Sequence, residues 1–390
     1  MTDILRQEIA TSADRLVVKV GSRVLTREDG TLNTERVAGL AEQLVALARL
    51  GRRVALVSSG AVAAGMGRIG LRRRPTNLAE LQAIAAVGQS HLIVAYDNAP
   101  RRHGYHVAQL LLTTDDLNDR TRYLNVRNTV VALFAHPAIP ILNENDTVSV
   151  EELQISFGDN DRLAAMVTNL IRAPLLVLLS DVDGLYDGDP ADPDSRLIDT
   201  VPQLDASVLD LARDTGDGPG KGGMASKLRA AEIATAAGEN VIIANGHRSD
   251  VLTDIVAGKR VGTLILAHGP VVTSWKRWIG FTAQPRGQLK LDAGACRAIR
   301  FEGRSLLAIG IVDTVGEFGK GDVVTLVSEE GIEFARGLTN YAAAEIRQIG
   351  GLRTDAIAQV LGHCPYDEVI HRDNLLVSHA TADPTSRPEG

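Results

Sequence analysis

Through the first two thirds of the chain, short and almost wholly apolar runs alternate with longer stretches of helical periodicity. The short runs fall at 16–20, 54–58, 107–112, 139–142, 175–179, 241–244 and 263–266. Successive apolar positions mean that both faces of the pleat are to be buried, as in strands covered by helices on either side. The helical stretches lie at 34–50, 77–98, 122–135, 162–171 and 225–237. This alternation predicts an α/β unit, a three-layer αβα sandwich with a mostly parallel sheet. Strand order and crossover hand do not follow from it.

Beyond Trp275-Lys276-Arg277-Trp278 the texture changes. Glycines recur from Gly287 to Gly337 between β-prone pieces at 306–312 and 322–327, which reads as a small β-rich domain. A chain of 390 residues suits two domains better than one. The expected boundaries are 14–270, a linker at 271–284, the β-rich domain at 285–362 and an extension at 363–390. From residue 381 onward the polar composition predicts disorder.

A hydrophobic share of 45% is that of an ordinary globular protein. The net charge of −7 argues against a nonspecific nucleic-acid binder. Two cysteines, Cys296 and Cys364, carry no metal-type spacing and fit a reducing compartment. The opening residues lack the apolar core of a signal peptide, and no 18 apolar residues run together, so a cytoplasmic location away from membranes is expected.

Two literal G-x-G-x-x-G strings are misleading. Gly65-Met66-Gly67-Arg68-Ile69-Gly70 lies several residues past its strand, and Gly218-Pro219-Gly220-Lys221-Gly222-Gly223 lies in a long loop. A dinucleotide fingerprint must instead follow a strand directly and open a helix. A Walker-type phosphate loop is absent from the sequence.

The informative positions are strand ends, because in open parallel sheets these border the ligand crevice. Lys19 sits inside an apolar strand, where burying its ammonium is costly unless it meets an anion, although an edge lysine could also reach water. Ser58-Ser59-Gly60-Ala61 leads from a strand into small residues that start a helix, whose free N–H groups suit a carboxylate or phosphate; ordinary N-capping would account for the serine equally well. Asn143-Glu144-Asn145-Asp146 and Gly158-Asp159-Asn160-Asp161 place acids and amides beside the same crevice, where a solvated turn and a helix cap would need fewer polar residues. Ser180-Asp181-Val182-Asp183 follows the very apolar run 175–179. Finally, Gly220-Lys221-Gly222-Gly223-Met224-Ala225-Ser226-Lys227 is a glycine-rich loop that opens a helix and suits close backbone approach to phosphates.

Lysines, backbone donors and carboxylates, with no candidate catalytic histidine, point to phosphoryl transfer onto an acceptor that is already ionised. A carboxylate acceptor needs no general base at neutral pH.

Taken in order, Lys19-Val20-Gly21-Ser22, Ser58 to Gly65, Ala86-Val87-Gly88-Gln89-Ser90, Asn143 to Asp146, Gly158 to Asp161, Ser180 to Tyr186 and Gly222 to Lys227 closely resemble the amino acid kinase family, and within it the kinases that act on glutamate. The likeness spans about residues 14 to 375. It implies ATP-dependent phosphorylation of the γ-carboxylate of L-glutamate, the step that opens the route to proline. It implies that Lys19 and Lys227 flank the travelling phosphoryl group and that Asp161 holds both. Ser59, Asp146 and Asn160 would contact glutamate, with Asp146 on its α-ammonium, while Gly60 and Ala61 offer backbone donors to the reacting carboxylate. Ser180, Asp181, Lys221, Gly222, Gly223, Met224, Ala225, Ser226 and Lys227 would line the ATP site, with Mg²⁺ carried by the nucleotide and water and no protein ligand named. Lys221 departs from the threonine or serine usual there. Dimers or tetramers, feedback inhibition by proline near the glutamate site, and a glutamyl-phosphate reductase as downstream partner are further implications.

The β-rich segment resembles a PUA domain, with Lys320-Gly321-Asp322-Val323 as its turn-to-strand element. Residues 276–370 hold 11 Lys/Arg against 12 Asp/Glu, with few aromatics, so a structural or regulatory role is favoured over RNA binding. The competing readings are a related kinase acting on acetylglutamate, aspartate, carbamate or UMP, and a PUA-type RNA-binding protein with a decayed kinase domain.

Overall fold

The computed structural model describes residues 3–148, 159–212, 223–267, 276 and 278–377. The tail from 381 lies outside them, as do residues 271–275 and 277 of the expected linker. The chain divides into two compact units, 1–271 and 272–390.

The first unit is built on an eight-stranded sheet: β1 (Arg15–Val20), β2 (Arg53–Ser58), β3 (His106–Leu112), β4 (Ala138–Glu144), β5 (Leu175–Ser180), β6 (Thr200–Val201), β7 (Asn240–Asn245) and β8 (Thr263–Ile265). Its order is β3-β4-β2-β1-β5-β7-β8-β6. Every neighbouring pair is parallel except β7 with β8. All seven apolar runs become strands, and β6 is an additional two-residue strand too short to leave a pattern. The five expected helices form as Thr34–Arg49, Leu78–Arg101, Arg120–Leu133, Asp159–Ile171 and Met224–Ala236. Apolar side chains of β1, β2 and β5, among them Leu16, Val18, Leu56, Val177 and Leu179, are almost completely buried.

From β1 the chain adds β2, β3 and β4 on one side, then crosses to place β5 on the other. The order therefore reverses at β1. Such a switch point opens a crevice at the carboxyl ends of the central strands, and the polar segments that follow β1, β2, β4 and β5 all end there.

A long helix packs behind the helix Ala61–Ile69, which lines that crevice. Leu78–Arg101 spans 24 residues, and its most apolar window has a mean hydropathy of 1.3, enough by length and composition to cross a membrane. Scattered polar residues such as Gln82, Gln89 and Ser90 hide this from a search for uninterrupted apolar runs. The helix instead packs within the unit: Leu81, Ile84 and Ala85 meet the helix Ala61–Ile69, and Leu92, Ala95, Tyr96 and Ala99 join the main core. Where the two helices cross, backbone touches backbone. A Cβ on Gly88 would lie 1.8 Å from the Ala61 carbonyl oxygen and 2.3 Å from the Gly65 nitrogen, and one on Gly65 would lie 2.0 Å from the Ile84 oxygen. Neither backbone can give way as a flexible side chain would. Gly88→Ala is therefore expected to lower stability by about 3 kcal/mol, read as an earlier urea midpoint; an unchanged midpoint would contradict this close crossing.

The second unit is a five-stranded sheet of β9 (Gly287–Leu291), β10 (Ile311–Gly316), β11 (Val323–Val327), β12 (Glu333–Leu338) and β13 (Leu375–Val377), ordered β10-β9-β11-β12-β13. Helices Ala293–Glu302, Ala343–Ile349 and Thr354–Leu361 accompany it, and Leu289, Leu326, Phe334, Tyr341 and Ile346 lie in its core. The expected strand at 306–312 is corrected here: 308–310 form a 3₁₀ turn and the strand starts at Ile311. Gly310 packs so closely on Ala295 that a Cβ would come within 2.4 Å of it, so the chain bends there before entering the sheet. Gly321 takes the left-handed conformation, φ +89°, in the turn that leads into β11.

Candidate active site

The crevice at the switch point is a cavity of about 520 Å³ whose wall includes Lys19, Ser59, Asp146, Asn160, Ser180 and Lys227. Each arrives from a different element. Lys19 comes from β1, Ser59 from the end of β2, Asp146 from the turn after β4, Asn160 from the first turn of Asp159–Ile171, Ser180 from the end of β5, and Lys227 from the first turn of Met224–Ala236.

Behind the wall, Asp161 is completely buried and joins the two lysines. Its Oδ1 lies 2.5 Å from Lys19 Nζ and its Oδ2 3.8 Å from Lys227 Nζ. Ser226 Oγ donates to Asp161 Oδ2 at 2.6 Å. Burial alone would push the Asp161 carboxyl up, but the Lys19 and Lys227 charges, with hydrogen bonds from Lys19 and Ser226, hold it below the usual carboxylate range. Lys227, only 5% exposed, is shifted down from the ordinary lysine value, chiefly by burial and against the pull of Asp161. The pair of amines thus shares one carboxylate and keeps charge to spare for an anion in the cavity.

Across the cavity the polar side chains form a row of amides. Asn160 Nδ2 donates to Ser59 Oγ at 3.0 Å and to Asn143 Oδ1 at 3.2 Å. Asn143 Nδ2 in turn donates to Gln89 Oε1 at 3.1 Å. Gly60, with φ +102°, caps the helix Ala61–Ile69, whose N-terminal turn faces the same space; that conformation and the nearby Leu25 leave no comfortable place for a side chain. Asp146 is 7% exposed. Burial, and then the charge of Glu144, push its carboxyl up to about 7, while Arg74 pulls the other way.

At the β5 end, Ser180 Oγ donates to Asp181 Oδ1 at 3.1 Å, and Arg23 Nη1 to Asp181 Oδ2 at 3.2 Å. Gly223, Met224, Ala225 and Ser226 build the turn and helix start that carry Lys227 to the cavity rather than its wall. Lys221 and Gly222 lie outside the described residues.

The sequence model of the amino acid kinase family matches residues 14–245. The chain belongs to the amino acid kinase family. The PUA domain model matches residues 287–361. Glutamate 5-kinase of Rhodopirellula baltica is 48% identical over 373 residues, covering 96% of this chain and 96% of that protein. The glutamate 5-kinases of Syntrophus aciditrophicus and Bordetella petrii are each 46% identical, covering 95% and 96% of this chain and 96% and 99% of their own. Among solved structures, UMP kinase from Bacillus anthracis covers 66% of this chain and 97% of its own at 14% identity, with a TM-score of 0.43.

This amino acid kinase places further residues at the cavity that the sequence did not single out. Arg72 and Arg74 line it, but a run of three arginines ahead of Pro75 has the appearance of a solvated loop. Arg23 also lines it, and no pattern marks that position. Asn143 is part of a visible motif, yet its place in the amide row depends on a partner 54 residues away.

Proposed function

We propose that this chain transfers the γ-phosphoryl group of ATP to the γ-carboxylate of L-glutamate, as glutamate 5-kinases are named for doing. The observation that carries this reading is the buried Asp161 shared by Lys19 and Lys227 at the edge of the cavity.

A carboxylate oxygen of glutamate attacks the γ-phosphorus, the bond from that phosphorus to the β–γ bridging oxygen breaks, and ADP leaves with the electron pair. The acceptor is already ionised, so no residue needs to take a proton from it. The difficulty is charge: an anion must approach an anion. Lys19 and Lys227 offset it on either side of the phosphoryl group, and Asp161 keeps their amines from parting. Backbone donors at Gly60 and Ala61 hold the attacking carboxylate, so that orientation as well as charge is set beforehand. Ser180 and Asp181, with the segment 221–227, accommodate the nucleotide. Mg²⁺ would come with the nucleotide and offset phosphate charge, and no residue of this chain is assigned to hold it.

Specificity follows from the other end of the cavity. Asp146 faces the α-ammonium and Ser59 and Asn160 orient the amino acid. Arg72 and Arg74 on the same wall suit a substrate with two carboxylates. An acetylated amino group carries no charge and gives Asp146 nothing to neutralise, which favours glutamate over acetylglutamate. ADP release measured with glutamate, N-acetylglutamate, aspartate and UMP tests the choice; glutamate is expected to lead, and faster turnover with any of the others would overturn it.

The same reading carries the cytoplasmic location, assembly into dimers or tetramers, which sedimentation of the purified chain tests, and delivery of a labile acyl phosphate to a glutamyl-phosphate reductase. The PUA domain is assigned a structural or regulatory part.

A further inference from the structure

The segment Ala86-Val87-Gly88-Gln89-Ser90 is conspicuous in the sequence, and the mechanism above gives it no task. Gly88 accounts for itself through the helix crossing. Gln89 does not. It is 9% exposed, in a helix otherwise buried through Leu, Ile, Ala and Tyr side chains. A buried primary amide there needs a reason, since its groups lose water and must be repaid by hydrogen bonds. Its oxygen is paired, accepting from Asn143 Nδ2, while its Nε2 finds no partner among the described residues.

Asn143 shows what that one bond does. An asparagine amide can present either its oxygen or its nitrogen to a neighbour. Asn143 Oδ1 accepts from Glu144 N at 2.9 Å and from Asn160 Nδ2 at 3.2 Å. If the amide turned over, its nitrogen would meet two donors. Gln89 Oε1 accepts the nitrogen and so favours the arrangement in which the oxygen faces Asn160. Asn160 must then offer its own nitrogen to Asn143 and to Ser59, which fixes the polarity of the whole row.

We propose that Gln89 is a positioning residue for the acceptor amino acid: acting through Asn143, it holds Asn160 and Ser59 in the orientation the substrate meets. This rests on the reading that these two residues face glutamate. The glycine beside it fits the same purpose, because the tight crossing at Gly88 fixes the helix, and hence Gln89, against the helix that begins at Ala61.

The test compares Gln89→Met, which keeps the volume and loses the acceptor, with Gln89→Glu, which keeps an acceptor oxygen. Gln89→Met is expected to raise the glutamate KM about tenfold, because a row correctly oriented about a tenth of the time binds about tenfold more weakly, with the ATP KM nearly unchanged. Gln89→Glu is expected to return most of that loss. In an Asn143→Ala background, Gln89→Met should change the glutamate KM by less than about twofold, since the path through Asn143 is already cut. Additive losses, equal losses for glutamate and ATP, or a Gln89→Glu variant no better than Gln89→Met would each overturn the proposal. Active wild type with an unaltered Gln89→Met would sink this proposal alone. Wild type with no turnover on glutamate would sink the acceptor reading and this proposal with it.

Discussion

Replacing Lys227 by alanine is expected to lower kcat about a thousandfold, the scale seen when one preorganised charge or donor is removed from a transition state. The reason is where the residue sits. It is buried at the start of a helix, 3.8 Å from a carboxylate that already has a second lysine at 2.5 Å. The fold is expected to survive the change, because Asp161 keeps Lys19 and the Ser226 hydroxyl, the latter at 2.6 Å. The variant should therefore keep a wild-type circular dichroism spectrum and urea midpoint while losing turnover. Burial also depresses the affinity of Lys227 for its proton. The ammonium form is lost as pH rises, so the alkaline limb of kcat/KM should begin below the ordinary lysine range. Near-normal turnover by Lys227→Ala would show that the phosphoryl group travels elsewhere.

Asp146→Ala is expected to act on the other substrate. Losing a charge-assisted hydrogen bond to the glutamate α-ammonium is worth about 2–3 kcal/mol, so the glutamate KM should rise on the order of 100-fold with the ATP KM little changed. The pH dependence has a definite sign. The carboxyl is pushed up to about 7 by burial and by Glu144, against Arg74. In free enzyme it takes a proton as pH falls through 7, and a neutral acid holds an ammonium poorly. The glutamate KM should thus climb by about tenfold for each pH unit below that point, and Asp146→Asn should be flat over the same range. A glutamate KM that is insensitive to both the substitution and pH would remove Asp146 from the acceptor site.

How far these expectations could be read without coordinates differs from residue to residue. The strands were legible because 16–20, 54–58 and 175–179 are apolar on both faces, a pattern that only a sheet sandwiched between layers requires. The crevice was legible because Asn143 to Asp146 and Asn160 with Asp161 interrupt apolar runs at the ends that border it. Lys19 stood out as a lone charge in a strand. That Lys19 and Lys227, more than two hundred positions apart, share one carboxylate followed only from the family resemblance, because strand order depends on packing across the whole sheet and leaves no mark in apolar patterning. Nor could it give Gln89 a partner: a polar residue in an amphipathic helix reads as exposed until the opposing Asn143 is seen. Arg72 and Arg74 were hidden for the converse reason, as charge in a loop is what any solvated turn displays. At 306–312 the β-prone composition misled, because close packing of Gly310 on Ala295 bends the backbone before the strand can start.

Trapping with hydroxylamine tests the chemistry most directly. Purified chain given ATP, Mg²⁺ and L-glutamate should form γ-glutamyl hydroxamate in step with ADP, one for one, and Lys227→Ala should form neither at a comparable rate. ADP produced without hydroxamate would mean that water, and not the carboxylate of glutamate, receives the phosphoryl group.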